Sequence, residues 1–206
     1  MNIHDDPNEE VRRLESSLAA GIPVDRLTAL IAPGMSSAVM ERLLEQPRFK
    51  SRLSRMMMAR LDLPHDMSPD LRFAAFGAGE MKVAVCAAGA IWHHHVIRQV
   101  IAKSALHSLI DAIGERAHAI ALSNGDLAVT PTTTPSVANL VCSIQRAGFG
   151  CVEAWLATVD TPIAELARLK LAALDEAFEL TDDHRRFGPA IVRRVADAWP
   201  TATSEA

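Results

Sequence analysis

The residue types best suited to chemistry are concentrated in three consecutive histidines, His93, His94 and His95. Imidazole is a common zinc ligand, so the run first suggests a metal site. Successive residues of an α-helix, however, point about 100° apart and cannot converge on one ion. The buried stripe of this segment is predicted to be Val96, Ile97, Val100 and Ile101. We therefore expect His93 to face the core, His94 to flank it and His95 to point to solvent. The sequence therefore favours a structural role for these histidines.

A second candidate is the pair Glu115 and His118, which has the E-x-x-H spacing of di-iron helical bundles. Such a site needs two E-x-x-H pairs and two further helical glutamates. The nearest substitute for the second pair, Asp62 and His65, contains Pro64, which disfavours a helix there. We therefore predict no metal ligand, but a metal-dependent helical enzyme stays open as an alternative. Elemental analysis of the purified protein separates the two readings.

Other catalytic motifs are also missing from the sequence. Gly77 and Gly79 resemble the start of a dinucleotide-binding loop, but the third glycine and a preceding strand are absent, so a break between helices is expected. The chain has no nucleophile elbow, no P-loop and no H-E-x-x-H zinc helix. We predict no catalytic residue, no cofactor and no enzymatic activity.

Positive charge is concentrated in the segment that follows Pro47. This segment contains no acidic residue and has five basic ones, namely Arg48, Lys50, Arg52, Arg55 and Arg60. It is either a solvated surface or a site for an acidic protein, a phosphate-rich partner or a membrane surface. Because the net charge is −4, nucleic acid is not expected as the main partner. A regulator that binds nucleic acid through residues 48–60 stays open as an alternative, which salt-dependent DNA binding tests.

Two further arginines, Arg193 and Arg194, lie opposite the apolar stripe predicted for the last helix. They are candidates for contact with an acidic protein patch. The predicted protein-interface residues are therefore Arg48, Arg52, Arg55, Arg193 and Arg194.

The elements that position these side chains are predicted to be helices throughout. Apolar residues recur at i, i+3, i+4 and i+7 along most of the chain. Of all residues 49% are hydrophobic and 22% charged, tyrosine is absent and aromatic residues make up 4%, which favours helices over sheets. We predict an all-α, compact, single-domain, multi-helix fold over residues 1–199, with a frayed tail over residues 200–206. The one organisational seam lies at residues 125–135, where Leu127 to Pro135 should form an extended Pro/Thr-rich crossing segment.

Individual helices are predicted from proline, glycine and capping residues. The predicted segments are Val11 to Leu18, Val24 to Ala32, Ser37 to Gln46, a helix begun by Pro47 and stopped by Pro64, several helices between Ser68 and Asn124, Ser136 to Ala147, Cys151 to Thr158, a long helix from Thr161 to Phe178, and a last helix begun by Pro189. In the helix after Pro47, the apolar residues Phe49, Leu53, Met56 and Met57 are predicted to be aligned on one side. Trp155 and Trp199 are expected on the core faces of their helices. The three cysteines, Cys86, Cys142 and Cys151, are predicted to be reduced core residues.

Neither a signal peptide nor a membrane-spanning helix is expected. The N-terminus, Met1 to Asn8, carries acidic residues where a signal peptide carries basic ones, and no apolar region follows. The most apolar stretch, Phe73 to Trp92, contains Glu80 and Lys82 and is interrupted by glycines. It is predicted to be a core hairpin of helices, and the protein is expected in the cytoplasm.

Three blocks in the centre and at the end of the chain resemble, in order and spacing, the SctK family, also called YscK. The first block, Val85 to Asn124, is similar to a family helix with a cysteine, a small residue at the Gly89 position and an I-R pair at Ile97 and Arg98. The second, Glu153 to Ala172, is similar to a W-L helix followed by a proline-containing turn and an R-L-x-L run. The third, Ile191 to Trp199, is a basic and apolar helix.

This resemblance implies a non-enzymatic adaptor of the sorting platform of bacterial type III secretion systems, the injectisomes. Such an adaptor lies at the cytoplasmic face of the inner membrane through its protein partners. One surface would meet the cytoplasmic domain of the SctD-type inner-membrane ring protein, and another would meet the SctQ-type pod protein. The stator and ATPase complex is a further possible partner, and no metal or cofactor is implied.

Overall fold

Eleven α-helices and two short 3-10 turns make up the described part of the chain, which contains no strand. The computed structural model describes residues 18–64, 66–129, 139–171 and 180–199, together with positions 12, 14, 15 and 136. The helices are α1 Val24–Ile31, α2 Ser37–Leu44, α3 Pro47–Leu61, α4 Pro69–Ala75, α5 Ala78–Trp92, α6 His94–Ile97, α7 Lys103–Ile113, α8 Glu115–Ser123, α9 Leu140–Leu156, α10 Thr161–Lys170 and α11 Asp182–Ala198. The predicted all-α fold class is confirmed.

Local sequence explains where most of these helices begin and end. Pro47 occupies the first turn of α3, where a missing N–H costs no hydrogen bond. The Ser68 hydroxyl accepts a hydrogen bond from the Leu71 N–H at 3.1 Å and so caps α4. Helix α3 ends at Leu61 because Asp62 adopts a left-handed conformation with φ 52°. Helix α8 ends at Ser123, and Asn124 is its C-cap residue, as predicted.

The described contacts cluster into two compact units. Unit one comprises residues 1–81 and 160–173, and unit two comprises residues 82–159 and 174–206. The expected single domain over residues 1–199 stays a prediction, as do the seam at 125–135 and the frayed tail. Residues 130–135 and 200–206 lie outside the described residues, and so does most of the predicted first helix.

In unit one, the 3-10 turn Leu18–Gly21 packs on α3, and α10 packs on α4. The Ser54 hydroxyl of α3 accepts a hydrogen bond from the Ala19 N–H at 3.0 Å, which fixes the turn to the helix. Arg26 of α1 donates to the backbone carbonyls of Arg168, Leu169 and Leu171 at the end of α10. A cation at a helix C-terminus is electrostatically favourable. The largest fully buried side chains of the unit are Leu18, Leu27, Met40, Met57, Leu71, Phe73, Met81 and Leu166.

In unit two, α9 packs along α11 and also crosses the part of α5 that follows Met81 at very short range. A Cβ added to Gly148 of α9 would lie 2.0 Å from the carbonyl oxygen of Val85. A Cβ added to Gly89 of α5 would lie 1.8 Å from the carbonyl oxygen of Ile144. The two backbones are therefore in direct contact, and glycine is required on both sides of the crossing.

Several of the predicted helix boundaries are wrong. Residues 140–156 form one helix and not two, because Gly148 serves a helix crossing and does not end the helix. The last helix begins at Asp182 and not at Pro189, because Thr181 caps it and Asp182 and Asp183 favour its first turn. Pro189 lies inside that helix.

Helix α10 ends at Lys170, where Leu171 is already extended, so the predicted continuation of that helix through Leu171 is wrong. Leu174 and Phe178 lie outside the described residues. Leu127 is part of the 3-10 turn Gly125–Leu127, so an extended conformation begins only at Ala128.

The core placements are mostly confirmed, but Ile101 is 90% exposed because its helix ends at Ile97, so its predicted place in the buried stripe is wrong. Trp155 is fully buried and Trp199 is 7% exposed, with the Arg116 guanidinium 5.0 Å from the centre of the Trp199 ring. Cys86 and Cys151 are buried free cysteines, but Cys142 is exposed, so its predicted core position is wrong. The break between Ala75 and Ala78 divides the apolar stretch as predicted. No helix within the described ranges is long and apolar enough to cross a membrane.

Candidate partner-binding surfaces

The clearest candidate surface is the solvent-facing side of α3, where three of the five predicted interface arginines lie. Arg48, Arg52 and Arg55 are all exposed, whereas Leu53 and Met57 of the same helix are buried. At about 100° per residue, Arg48, Arg52, Arg55 and Ala59 project within about 60° of one another. No ion pair to any of these arginines occurs among the residues that the structure describes. The sequence prediction of an exposed basic helix is therefore correct.

Apolar side chains follow one edge of this row of arginines. Phe49 and Met56 lie two helical turns apart, and each is 48% exposed. A shallow depression of about 480 Å³ is lined by Arg52, Arg55, Met56 and Ala59. We name the surface formed by Arg48, Phe49, Arg52, Arg55, Met56 and Ala59 the α3 face. The basic charge was visible in the sequence. The predicted alignment of Phe49 and Met56 with Leu53 and Met57 on one apolar side is wrong, because Phe49 and Met56 are half-exposed whereas Leu53 and Met57 are buried.

The other two predicted interface residues lie at the end of α11 and are less accessible. Arg193 and Arg194 are both partly buried. Arg194 donates to the Asp126 carboxylate at 3.2 Å and to the Asn124 side-chain oxygen at 3.2 Å. Because the side chains of Arg194 and Asp126 are 41% and 60% exposed, this ion pair contributes little to stability. Sequence reasoning found the arginine but missed its acidic neighbour in the 3-10 turn.

The three histidines diverge as predicted, but one assignment is wrong. His93 is 6% exposed and faces the core, while His95 is exposed. His94 does not merely flank the core, because it is 7% exposed and its Nδ1 lies 2.9 Å from the Ala121 carbonyl oxygen. A Cβ on Gly125 would lie 2.4 Å from the His94 ring, so the ring fills the space beside this glycine.

A buried aromatic cluster in unit two was not foreseen. The rings of Trp92 and His184 stack with centroids 4.4 Å apart and an angle of 14° between planes. The His184 Nδ1 lies 2.7 Å from the Thr181 hydroxyl. Burial lowers the pKa of both His93 and His184, and the charge of His184 lowers the pKa of His93 further. The cluster therefore favours the neutral form of the His93 and His184 imidazoles.

The histidine cluster predicts that the protein loses stability as the pH falls below about 6.5. The unfolded histidines take up protons near their ordinary pKa of 6.5, whereas His93 and His184 resist protonation in the folded state. The unfolded state then binds more protons, and acid favours unfolding. Urea unfolding of the wild type and His184→Phe between pH 7.5 and 5 measures this loss. The variant keeps a ring beside Trp92 and should lose less stability, and an equal loss in both proteins contradicts the prediction.

Unit one contains a buried lysine that sequence reasoning also missed. Lys170 is 3% exposed, and its Nζ donates to the Ala74 carbonyl oxygen at 2.8 Å at the end of α4. Burial lowers the pKa of Lys170 to about 7, and the Glu80 carboxylate opposes part of this shift. Glu80 also accepts a hydrogen bond from the Gly77 N–H at 2.9 Å. The sequence signal was weak, because Lys170 follows Arg168 in what looked like a solvated basic end of a helix.

The two residues considered for a di-iron site both lie on α8. Glu115 is exposed and His118 partly exposed, three residues further along the helix. Within the described ranges, no three histidine, cysteine, aspartate or glutamate side chains are placed to share a metal ion. His65 lies outside those ranges.

Comparison with known proteins points in one direction. The family model described as YOP proteins translocation protein K (YscK) matches residues 27–196, which include most of both units and the whole α3 face. The chain is also 28% identical over 148 residues to the nodulation protein NolU of Rhizobium fredii and, equally, to NolU of Sinorhizobium fredii strain NBRC 101917 / NGR234. Each alignment covers 68% of this chain and 66% of the relative, so the match spans just under two thirds of the relatives' length. No solved structure matches the chain.

Proposed function

Because the chain belongs to the YscK family and is thereby related to type III secretion, we propose that it is a non-enzymatic adaptor of a secretion sorting platform. In this role it works in the cytoplasm, peripheral to the inner membrane through its protein partners. It joins the cytoplasmic domain of the SctD-type ring protein to the SctQ-type pod protein. A contact with the stator and ATPase complex is compatible with the same position.

The observation that carries this proposal is the combination of a family match over residues 27–196 with a row of exposed arginines on α3 that form no ion pair with any described residue. An adaptor needs rigid helices that present charged patches to its partners, since complementary charge guides association and register. Unit two supplies rigidity through the backbone contact at Gly89 and Gly148. The α3 face supplies a patch that the described residues do not neutralise.

Deletion of the gene tests the proposal directly. Secretion should stop, and the pod protein should leave its membrane-associated foci for the cytosol, because the bridge that holds it is gone. The ring protein should keep its localisation, since its subunits are anchored in the membrane independently. Fluorescent fusions of the pod and ring proteins measure both effects. Normal pod foci in the deletion strain would rule out the adaptor role.

A point variant addresses the second proposed contact, at Arg193 and Arg194. Reversing both charges should weaken binding to one partner while the helix content is retained. Because Arg194 pairs with Asp126 in the same chain, Asp126→Asn serves as the control that breaks the pair without reversing the arginines. Normal binding of the reversed variant would leave the α3 face as the remaining proposed contact.

A further inference from the structure

The α3 face combines charge and apolar surface in a defined arrangement. The arginines form a central row about two helical turns long, or about 10 Å from Arg48 to Arg55. Phe49 and Met56 line one edge, and the depression beside Met56 is lined by two of the arginines. Arginine, with its planar fork of donors, pairs with carboxylates in bidentate geometry and is enriched at protein interfaces.

The basic character of this face is not balanced by its own helix. Residues 47–61 contain four arginines and one lysine and no acidic residue. Among the residues that the structure describes, no ion pair involves α3. A binding partner of this face would therefore supply the negative charge. The apolar contact that it finds there is limited to Phe49, Met56 and the shallow depression beside Met56.

We infer that the α3 face binds an acidic amphipathic segment of a partner protein. In this arrangement the carboxylates of the segment pair with Arg48, Arg52 and Arg55, and one apolar side chain enters the depression beside Met56. This inference rests on the proposed adaptor function and adds to it the chemistry of one partner. It requires about two helical turns of the partner, which is the length of the arginine row.

A membrane surface fits the α3 face less well than a protein segment. A helix that lies in a lipid interface needs a broad apolar side to insert. The broad apolar side of α3, with Leu53, Met57 and Leu61, is buried within unit one. Phe49 and Met56 alone leave only two half-exposed apolar side chains for lipid contact.

The experiment uses the full chain and a designed helical peptide of 14 residues as the probe. The peptide carries glutamates at positions i, i+4 and i+7 with leucines along one edge, and a twin peptide has glutamine in place of each glutamate. Fluorescence anisotropy measures binding of both peptides in 50 and 300 mM salt. We expect at least tenfold tighter binding of the glutamate peptide, and a weakening of that binding by salt.

Variants then locate the binding site. Arg52→Glu/Arg55→Glu should weaken binding of the glutamate peptide at least tenfold, and Met56→Ser should weaken it severalfold without a change of charge. Arg98→Glu/Lys103→Glu reverses the same number of exposed charges in unit two and should change binding less than twofold. Circular dichroism melts confirm that all variants are folded.

Several results would overturn the inference. Equal affinity for the two peptides excludes recognition of carboxylates, and equal loss in the α3 and control variants excludes the α3 face. Tighter binding to vesicles with 30% anionic lipid, or to duplex DNA, than to the glutamate peptide assigns the face to another class of ligand. Normal secretion by Arg52→Glu/Arg55→Glu in cells, together with loss of secretion on gene deletion, rejects this inference and leaves the adaptor role intact.

Discussion

Replacing Gly148 with alanine is expected to destabilise the protein by about 3 kcal/mol or more. The new methyl group would lie 2.0 Å from the carbonyl oxygen of Val85, and the nearest atoms are backbone atoms that cannot rotate away. Helices α5 and α9 would have to separate, which opens gaps around Ile144 and Trp155 in the core of unit two. Urea unfolding followed by circular dichroism measures the change in the free energy of unfolding.

The matched control for this prediction is Gly79→Ala, in the first turn of α5. A Cβ on Gly79 meets no atom within 4 Å, so this substitution adds no clash. Because alanine is the better helix former by up to about 1 kcal/mol, the control should be neutral or slightly stabilising. If Gly148→Ala lowers the free energy of unfolding and Gly79→Ala does not, the loss of stability comes from the helix crossing and not from the change of glycine to alanine as such. Equal stability of Gly148→Ala and the wild type would contradict the close backbone contact.

Replacing Lys170 with methionine is expected to stabilise the protein at pH 6 by about 1 to 4 kcal/mol. At this pH Lys170 is mostly protonated and its charge is buried, with one carbonyl oxygen of Ala74 as its hydrogen-bond partner. Methionine has a similar length and carries no charge, so the cost of burying the charge is removed. The loss of the hydrogen bond to Ala74 offsets about 1 kcal/mol of this gain.

The same variant should also change how stability depends on pH. The folded-state pKa of Lys170 is about 7, below its ordinary value of 10.5. Between these two values the unfolded lysine binds a proton that the folded lysine has lost, so the wild type should gain stability as the pH rises. Between pH 7 and pH 10.5 the free energy of unfolding of the wild type should rise by at most about 5 kcal/mol, because each unit of pKa difference corresponds to about 1.36 kcal/mol. Lys170→Met should lack this rise.

Hydrogen exchange of the α4 and α10 amides and circular dichroism melts between pH 6 and 9.5 measure this difference. Tryptophan fluorescence is unsuitable, because all three tryptophans lie in unit two. Lys103→Met removes an exposed lysine and should follow the pH profile of the wild type. Parallel profiles for Lys170→Met and the wild type would mean that Lys170 titrates at the same pH in the folded and unfolded chain.

The secondary structure could be predicted well where local chemistry decides it. Pro47, Ser68 and Asn124 mark helix ends in the structure as they do in the sequence. The prediction was wrong where a residue with a strong local preference serves a tertiary contact. Gly188 suggested a boundary, but a Cβ at that position would lie 2.9 Å from the Cα of Cys151, so the residue allows α11 to pack on α9. The helix therefore continues through Gly188 and Pro189.

The features of the candidate surfaces likewise divide into those that local sequence predicts and those that depend on tertiary contacts. The exposed arginines of α3 followed from sequence because the helical period separates Arg52 and Arg55 from Leu53 and Met57. The partner of Arg194 could not be predicted from the sequence. Asp126 lies 68 residues away along the chain and reaches Arg194 only through the packing of unit two. His94 was misplaced because its burial depends on Ala121 and Gly125, which another part of the chain supplies.

By itself the sequence determined an all-α chain, most helix ends, the basic row on α3 and the resemblance to the secretion family, because each depends on local residue order and spacing. Only the tertiary structure decided which glycines bring backbones together, which histidines are buried and that Lys170 lies away from water. These properties depend on what faces a residue from a distant part of the chain. Burial and electrostatic environment are set by such non-local neighbours, and the spacing of residues along one helix does not contain them.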